Sequence, residues 1–504
     1  MQGRTNLFTA VVLGLALALG LVGLLGGTPA VRAASYTVTR FDDPMPDGCS
    51  PTDCSLREAV IAANASPNAD TIILPAGTYV LTLGGFDAAA AVGDLDITGP
   101  VTLIGQGPEQ TIIDASAIND RVIEAHPGAD VTISGMSIIN GSVSTTNGGG
   151  VACYQAALTL ENAVVRLNSA GSRDGGGLYA RECTVTLSAT QVVSNVANNG
   201  GGIYGRESTL ALAHSTVAHN DAARSGGGIY GRESTLALAH STVAHNDAAR
   251  PGGGVYGLGT AASLSYSTLF GNTARAGGGL FIWGTGASVT VANSLVAENE
   301  ADRGGGGLVV SDDALWLTIE NSTFSGNRAN GYGGGVSTRV PTTITHATIT
   351  NNWAGTEGDD LSGVGGLFAY QSGALVRLEH TILAGNVDRK NATDRDCRRW
   401  GAATVTSQGY NLVEAVGNCT FTSAGDISGQ DPLLGPLQDN GGATWTHALL
   451  DGSPARDAGD PNFAPPPLYD QRGPTFPRLA HGRVDIGAFE VRPQVYLPLV
   501  VRNR

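Results

Sequence analysis

Short runs of alternating apolar and polar residues recur along most of the chain, as in Thr209-Leu210-Ala211-Leu212-Ala213. A period of two is the mark of a β-strand, whose successive side chains point to opposite faces. The runs are rich in Val, Thr and small residues, are separated by Gly and Asn, and show no helical period. Gly clusters begin at Gly148, Gly175, Gly200, Gly226, Gly252, Gly277, Gly305 and Gly333, with a degenerate copy at Gly365. Aligned on them, the residue after each cluster is always aliphatic: Val151, Leu178, Ile203, Ile229, Val255, Leu280, Leu308, Val336 and Leu367. Two further aliphatic columns follow, one from Leu160 to Leu378 and one from Val165 to Leu383. Three residues after the last comes an unbroken Asn column: Asn168, Asn195, Asn220, Asn246, Asn272, Asn299, Asn327, Asn352 and Asn386.

One unit, GGGIYGRESTLALAHSTVAHNDAAR, occurs at Gly200–Arg224 and again, letter for letter, at Gly226–Arg250. A chain that accepts a pasted unit is built by stacking, each unit touching mainly its neighbours. Coils of about 26 residues with short strands and strict columns predict a right-handed parallel β-helix, an all-β solenoid. Each strand then pairs with its equivalent one coil on, roughly 4.8 Å away, so like residues stack. About twelve coils would make a rod on the order of 58 Å long. A leucine-rich repeat is excluded, because there is neither a regular Leu consensus nor a helical segment per unit.

The ends depart from the repeat. Cys54 to Asn64 predicts a short helix, with Ser55 and Glu58 as a capping box and Leu56, Val60 and Ala63 on one face, placed as a lid on the first coil. After residue 400 the Gly clusters stop and Pro rises, predicting a compact closing module that ends in a strand at Val484–Val491. Arg4, the apolar run Leu7–Leu25 and Val31-Arg32-Ala33 read as an export signal cleaved near Ala34. The expected organisation is therefore a signal peptide at 1–33, an N-terminal cap at 34–95, the β-helix at 96–400, a closing module at 401–491 and a tail at 492–504. That tail is too short to span a bilayer, and no membrane-spanning segment is expected once the signal is removed.

Composition sharpens this picture. The formal charge of −15 argues against nucleic acid as a partner. Six cysteines, Cys49, Cys54, Cys153, Cys183, Cys397 and Cys419, lie as three local pairs. An even count in an exported chain predicts disulfides, and the spacing lacks the paired knuckles of a zinc site.

Cys54–Asn64 followed by Thr71-Ile72-Ile73-Leu74-Pro75-Ala76-Gly77-Thr78-Tyr79 resembles the CSLREA domain of exported bacterial β-helix proteins. Asp396-Cys397, Gly409-Tyr410-Asn411-Leu412, Asp431-Pro432-Leu433-Leu434, Asn440-Gly441-Gly442 and Asp485-Ile486-Gly487-Ala488-Phe489-Glu490 resemble a choice-of-anchor module. The repeats between are similar to those of polymorphic outer-membrane proteins, with Phe324-Ser325-Gly326-Asn327 matching one motif literally. Those proteins carry a C-terminal transmembrane barrel, which is not expected here. The resemblance implies an exported, cell-surface or extracellular protein, often an adhesin.

Candidate chemistry is sparse at this level. His214, His240, His346 and His380 share a column with Asn, Ala and Tyr, which reads as a turn position; no metal site or cofactor is expected. Tyr179, Tyr204, Tyr230, Tyr256 and Phe281 form an outward aromatic strip that could contact sugars or simply stack on itself. Arg181-Glu182, Arg206-Glu207 and Arg232-Glu233 read as a solvated charge ladder. Carboxylate pairs occur at Asp94/Asp96, Asp312/Asp313, Asp359/Asp360 and Asp394/Asp396, and no two are expected at equivalent depth on adjacent coils. Asp359 and Asp360, with Glu357, are the best catalytic candidates. The sequence thus favours a structural or adhesive rod that contacts glycans or a neighbouring surface. The alternative is a polysaccharide lyase or glycoside hydrolase acting on acidic polysaccharides.

Overall fold

The computed structural model describes residues 33–355, 363–371, 373–388, 393–394, 396–479 and 482–492. The expected export signal, save its last residue, and the tail after residue 492 lie outside them. Among the described residues the chain winds into a parallel β-solenoid of three main sheets and a fourth of short strands. Sheet I has 14 strands, from Ser35–Thr37 to Thr404–Gly409. Sheet II has 12, from Leu95–Ile97 to Cys397–Trp400, and sheet III has 14, from Gly77–Val80 to Ile427–Ser428. In sheets I to III each strand pairs in parallel with its equivalent one coil on, so Ile203 lies over Ile229 and Leu212 over Leu238. Pairing continues past residue 400, because Thr404–Gly409 still lies in register on Leu375–Glu379.

The three aliphatic columns fill the core and are almost wholly buried. The Asn column fills it too, as a hydrogen-bonded ladder. Each amide Nδ2 donates to the Oδ1 of the next Asn, from Asn168 to Asn386 at 2.8–3.0 Å. Each Oδ1 also accepts the main-chain N–H of the preceding Asn, as Asn272 Oδ1 does from Asn246 N at 3.0 Å. Buried amides are stable here because every group finds a partner. The last rung is Asp396, whose Oδ1 accepts from Asn386 Nδ2 at 2.8 Å while Oδ2 accepts from Ala415 N at 2.7 Å. An acceptor alone suffices where no further Asn needs a donor.

The Gly triplets have two physical causes. Gly200 has φ +61, a left-handed turn that glycine adopts without cost. Gly202 needs space instead, because a Cβ there would lie 2.6 Å from the carbonyl oxygen of Gly228 one coil on.

The predicted helix forms at Leu56–Asn64, with both halves of the Ser55/Glu58 capping box present. Leu56, Val60 and Ala63 are buried against the first coil. Arg57 is buried as well, and its guanidinium grips Asp43 at 2.7 and 3.1 Å. It also donates to the carbonyls of Ala90, Gly93 and Asp94 at 2.9, 2.8 and 3.3 Å. The helix therefore fixes the loop that delivers Asp94 and Asp96.

At the other end Phe421 and Cys419 close the core. The segment beyond residue 430 then runs back along the flank of the solenoid. Asn321 Nδ2 donates to Tyr469 O at 2.7 Å, Thr323 Oγ1 to Gln471 Oε1 at 2.6 Å, and Ala488 N to Thr348 Oγ1 at 3.0 Å. The strand expected at Val484–Val491 does not form. Its backbone groups bond elsewhere, Gly487 N to His380 O at 2.9 Å and Val491 N to the Asp485 carboxylate at 2.7 Å.

The disulfides are Cys49–Cys54, Cys153–Cys183 and Cys397–Cys419. No helix among the described residues is long and apolar enough to cross a membrane.

Candidate active site on the first coils

Sheet II begins with Leu95–Ile97, whose Leu95 and Ile97 point into the core and whose Asp96 points outward. The next strand, Ile123–Ala125, lies in register on it and places Glu124 directly over Asp96. His126 follows, and its Nε2 lies 2.6 Å from Asp96 Oδ1 and 3.6 Å from Glu124 Oε1. The other oxygen of Asp96 accepts from Ala90 N at 3.1 Å. Asp96 is thus fixed from both sides and can orient the imidazole, leaving Nδ1 as the base.

Arg121 enters the same cluster. Its Nη1 bonds Glu124, and its Nε stands 3.4 Å from Asp94 Oδ2 and 3.9 Å from Asp120 Oδ1. Three carboxylates therefore crowd one guanidinium. Burial pushes the Asp94 carboxyl up to about 8, with the neighbouring acids adding to the shift and Arg121 opposing it. Burial also raises Asp96, opposed by His126, and raises Asp120, opposed by the Arg121 backbone and side chain. Asp94 is accordingly protonated at neutral pH. The turn through Gly93 (φ +72) has no room for a Cβ, which would meet Gly85 O and an Asp120 oxygen.

One coil further, Ala125 pairs with Cys153, and Tyr154 follows Cys153 as His126 follows Ala125. Burial raises the Tyr154 phenol, and the charges of Arg121 and Arg181 pull against that shift. Tyr154 is itself in register with Arg181. His126, Tyr154 and Arg181 thus form one outward row. Side chains of Glu124 and His126 are 18% and 21% exposed, so the reactive edge of the cluster reaches solvent while Asp94, Asp96 and Asp120 do not.

Beyond the carboxylate pairs expected from the sequence, Asp96 and Glu124 lie at equivalent depth on adjacent coils. A potential metal constellation also exists, since single ligand atoms of Asp96, Glu124 and His126 all lie within 4.8 Å of one another. A divalent ion there would have to replace the His126–Asp96 hydrogen bond.

The other candidates fall elsewhere. Asp359, Asp360 and Glu357 lie outside the described residues. Asp312 pairs with Arg339, and Asp396 serves the Asn ladder. In the aromatic strip Tyr179, Tyr204 and Tyr230 stack at 5.3 and 4.7 Å with planes 10° and 11° apart; Tyr256 and Phe281 continue the row at 4.8 and 5.8 Å. The rings cover one another's faces, and Tyr179, Tyr204 and Tyr256 are buried by the stack. His214, His240, His346 and His380 all have positive φ, as expected of a corner, and they stack in pairs. Sequence reasoning missed Asp120, Arg121, Glu124, His126 and Tyr154. The usable signal was alternation: Leu95-Asp96-Ile97 returns in register one coil later as Ile123-Glu124-Ala125.

The class defined by this architecture is the parallel β-solenoid. No protein-family model matches the chain, and no curated protein matches it significantly. Among solved structures it is similar to a pectate lyase, at 14% identity over 92% of this chain and 98% of that one, with TM-score 0.35. It is also similar to the A-module of an Azotobacter vinelandii mannuronan C-5 epimerase, at 11% identity over 77% and 100%, TM-score 0.35. A mannuronic-acid-specific polysaccharide family 6 lyase from human gut microbiota matches at 11% identity over 79% and 92%, TM-score 0.32. Likeness at this level assigns neither residues nor activity to this chain.

Proposed function

We propose that the chain is an exported β-solenoid lyase that cleaves acidic polysaccharides at the His126–Tyr154–Arg181 row. The observation that carries this reading is the alignment of a base, a phenol and a guanidinium on three successive coils, above a dyad that holds the base in place. Eliminative cleavage of a uronate chain needs those three roles. Arg181 pairs with the sugar carboxylate and makes the neighbouring C–H more acidic. His126, oriented by Asp96, takes that proton. The electron pair forms the new C=C bond as the C–O bond to the leaving sugar breaks, and the Tyr154 phenol protonates the departing oxygen. The ion pair between Arg121 and Glu124 steadies the floor of the site.

The test is incubation of the mature chain with polygalacturonate and alginate, following the ultraviolet absorbance of the unsaturated product. His126→Ala should abolish product formation. Reducing ends without unsaturation would instead indicate a glycoside hydrolase.

A second reading, a structural or adhesive rod, is favoured by the verbatim duplication of one coil. It predicts glycan binding with no product. Under either reading the disulfides suit an extracellular or cell-surface location.

A further inference from the structure

The row that begins with His126 and Tyr154 does not stop at Arg181. Arg206 and Arg232 follow it in strict register, and Leu258 and Trp283 continue the line. Beside it on the same outward face run Ala152, Tyr179, Tyr204, Tyr230 and Tyr256. The face therefore repeats the same pair on three successive coils, one exposed arginine beside a tyrosine that is buried or half-buried.

The three guanidinium groups are accessible, with side chains 49%, 37% and 41% exposed. Each leans on the Glu that follows it, at 3.1, 3.0 and 3.5 Å. Exposed pairs of this kind contribute less than about 1 kcal/mol. A ligand carboxylate that makes two parallel N–H···O bonds can displace such a partner. The tyrosines stack face to face, so they cannot offer ring faces to a sugar. Tyr179 and Tyr204 are buried and Tyr230 is half-buried, so the exposed guanidinium groups beside them are what a ligand meets. This face therefore suits a chain carrying carboxylates rather than one recognised by its apolar sugar faces. The tyrosine spacing of 4.7–5.3 Å sets the repeat. An extended chain of pyranose units repeats on nearly the same length.

We propose that Arg181, Arg206 and Arg232, walled by the tyrosine stack beside them, form a binding track for a linear polyuronate lying lengthwise on sheet II. This rests on the lyase reading, which places the reacting unit at Arg181. The next two units then set their carboxylates on Arg206 and Arg232. The substrate is accordingly a block of at least three contiguous free uronates, and esterification of those carboxyls removes the recognition.

The experiment is calorimetric titration of the full mature chain carrying His126→Ala with oligogalacturonates and oligomannuronates of two to six units. In one series or the other, affinity should rise about tenfold between two and four units and then level off. Methyl esters should not bind. Arg206→Ala combined with Arg232→Ala should reduce the longer oligomers to the affinity of the dimer, with circular dichroism confirming the fold. Arg224→Ala, an exposed arginine off this face, should change nothing. Equal affinity of the double variant for the hexamer, or no length dependence, would overturn the track. Length-dependent binding by a wild-type chain that forms no unsaturated product would uphold the track and sink the lyase reading. Cleavage without length dependence would do the reverse.

Discussion

Replacing Asn272 by Ala removes one rung from the middle of the buried ladder. Asn272 Oδ1 accepts from Asn246 N at 3.0 Å and from Asn246 Nδ2 at 2.9 Å. Its Nδ2 donates to Val243 O at 2.9 Å and to Asn299 Oδ1 at 2.9 Å. The substitution strands two N–H groups of Asn246 and takes one donor from Val243 O, all in a region closed to water. Each stranded buried group costs about 1–3 kcal/mol, so the two N–H groups alone imply a loss of about 2–6 kcal/mol. Stacked coils can open locally, so the readout should be local as well as global. Hydrogen exchange at the Asn246 amide should accelerate far more than at coils near Ile344, and the urea midpoint should fall. Ser263→Ala on the exposed outer face is the control, expected within about 0.5 kcal/mol of wild type. If Asn272→Ala costs no more than that control, the ladder does not stabilise the core as argued.

Arg57→Met should destabilise the N-terminal cap by about 3–5 kcal/mol, because it leaves the Asp43 carboxylate buried without its partner; thermal melts and exchange over residues 82–96 check this. The flank contact should weaken in acid. Burial lowers His380 to about 4, helped by Arg478, and its Nε2 accepts from Asp460 N at 2.9 Å, which requires the neutral ring. His346, stacked on it and likewise held neutral by burial, adds to the effect, while Asp460 opposes it. The unfolded chain takes these protons first, so the stabilisation present above about pH 6.5 is lost as pH falls towards 4. Exchange over residues 455–479 should accelerate in that window; unchanged protection at pH 4.5 would contradict the argument.

The winding was legible because stacking repeats its own evidence. Val151 to Leu367 and Asn168 to Asn386 are columns only if coils lie in register, and they do. The candidate site was not legible in the same way. The coils that carry Asp96, Glu124 and His126 precede Gly148 and lack the Gly triplets that anchor the alignment, so their columns were never compared. Their depth was also hidden, since Asp94 is buried by a loop that Arg57 pins from a helix some 36 residues earlier. The flank segment was misread at Val484–Val491 for a related reason. Its apolar residues do face a core, that of Ile382 and Leu412, yet side chains of the solenoid and of the segment itself, not a strand ladder, bond several of its backbone groups.

The central claim is that His126, oriented by Asp96 and aligned with Tyr154 and Arg181, makes an eliminative centre. The direct measurement is the rate of unsaturated product formed from polyuronates by wild type, His126→Ala and Arg181→Ala. Product from wild type, lost in both variants while circular dichroism stays unchanged, is the expected result. Full activity in His126→Ala, or no unsaturated product from any polyuronate with wild type, would contradict it.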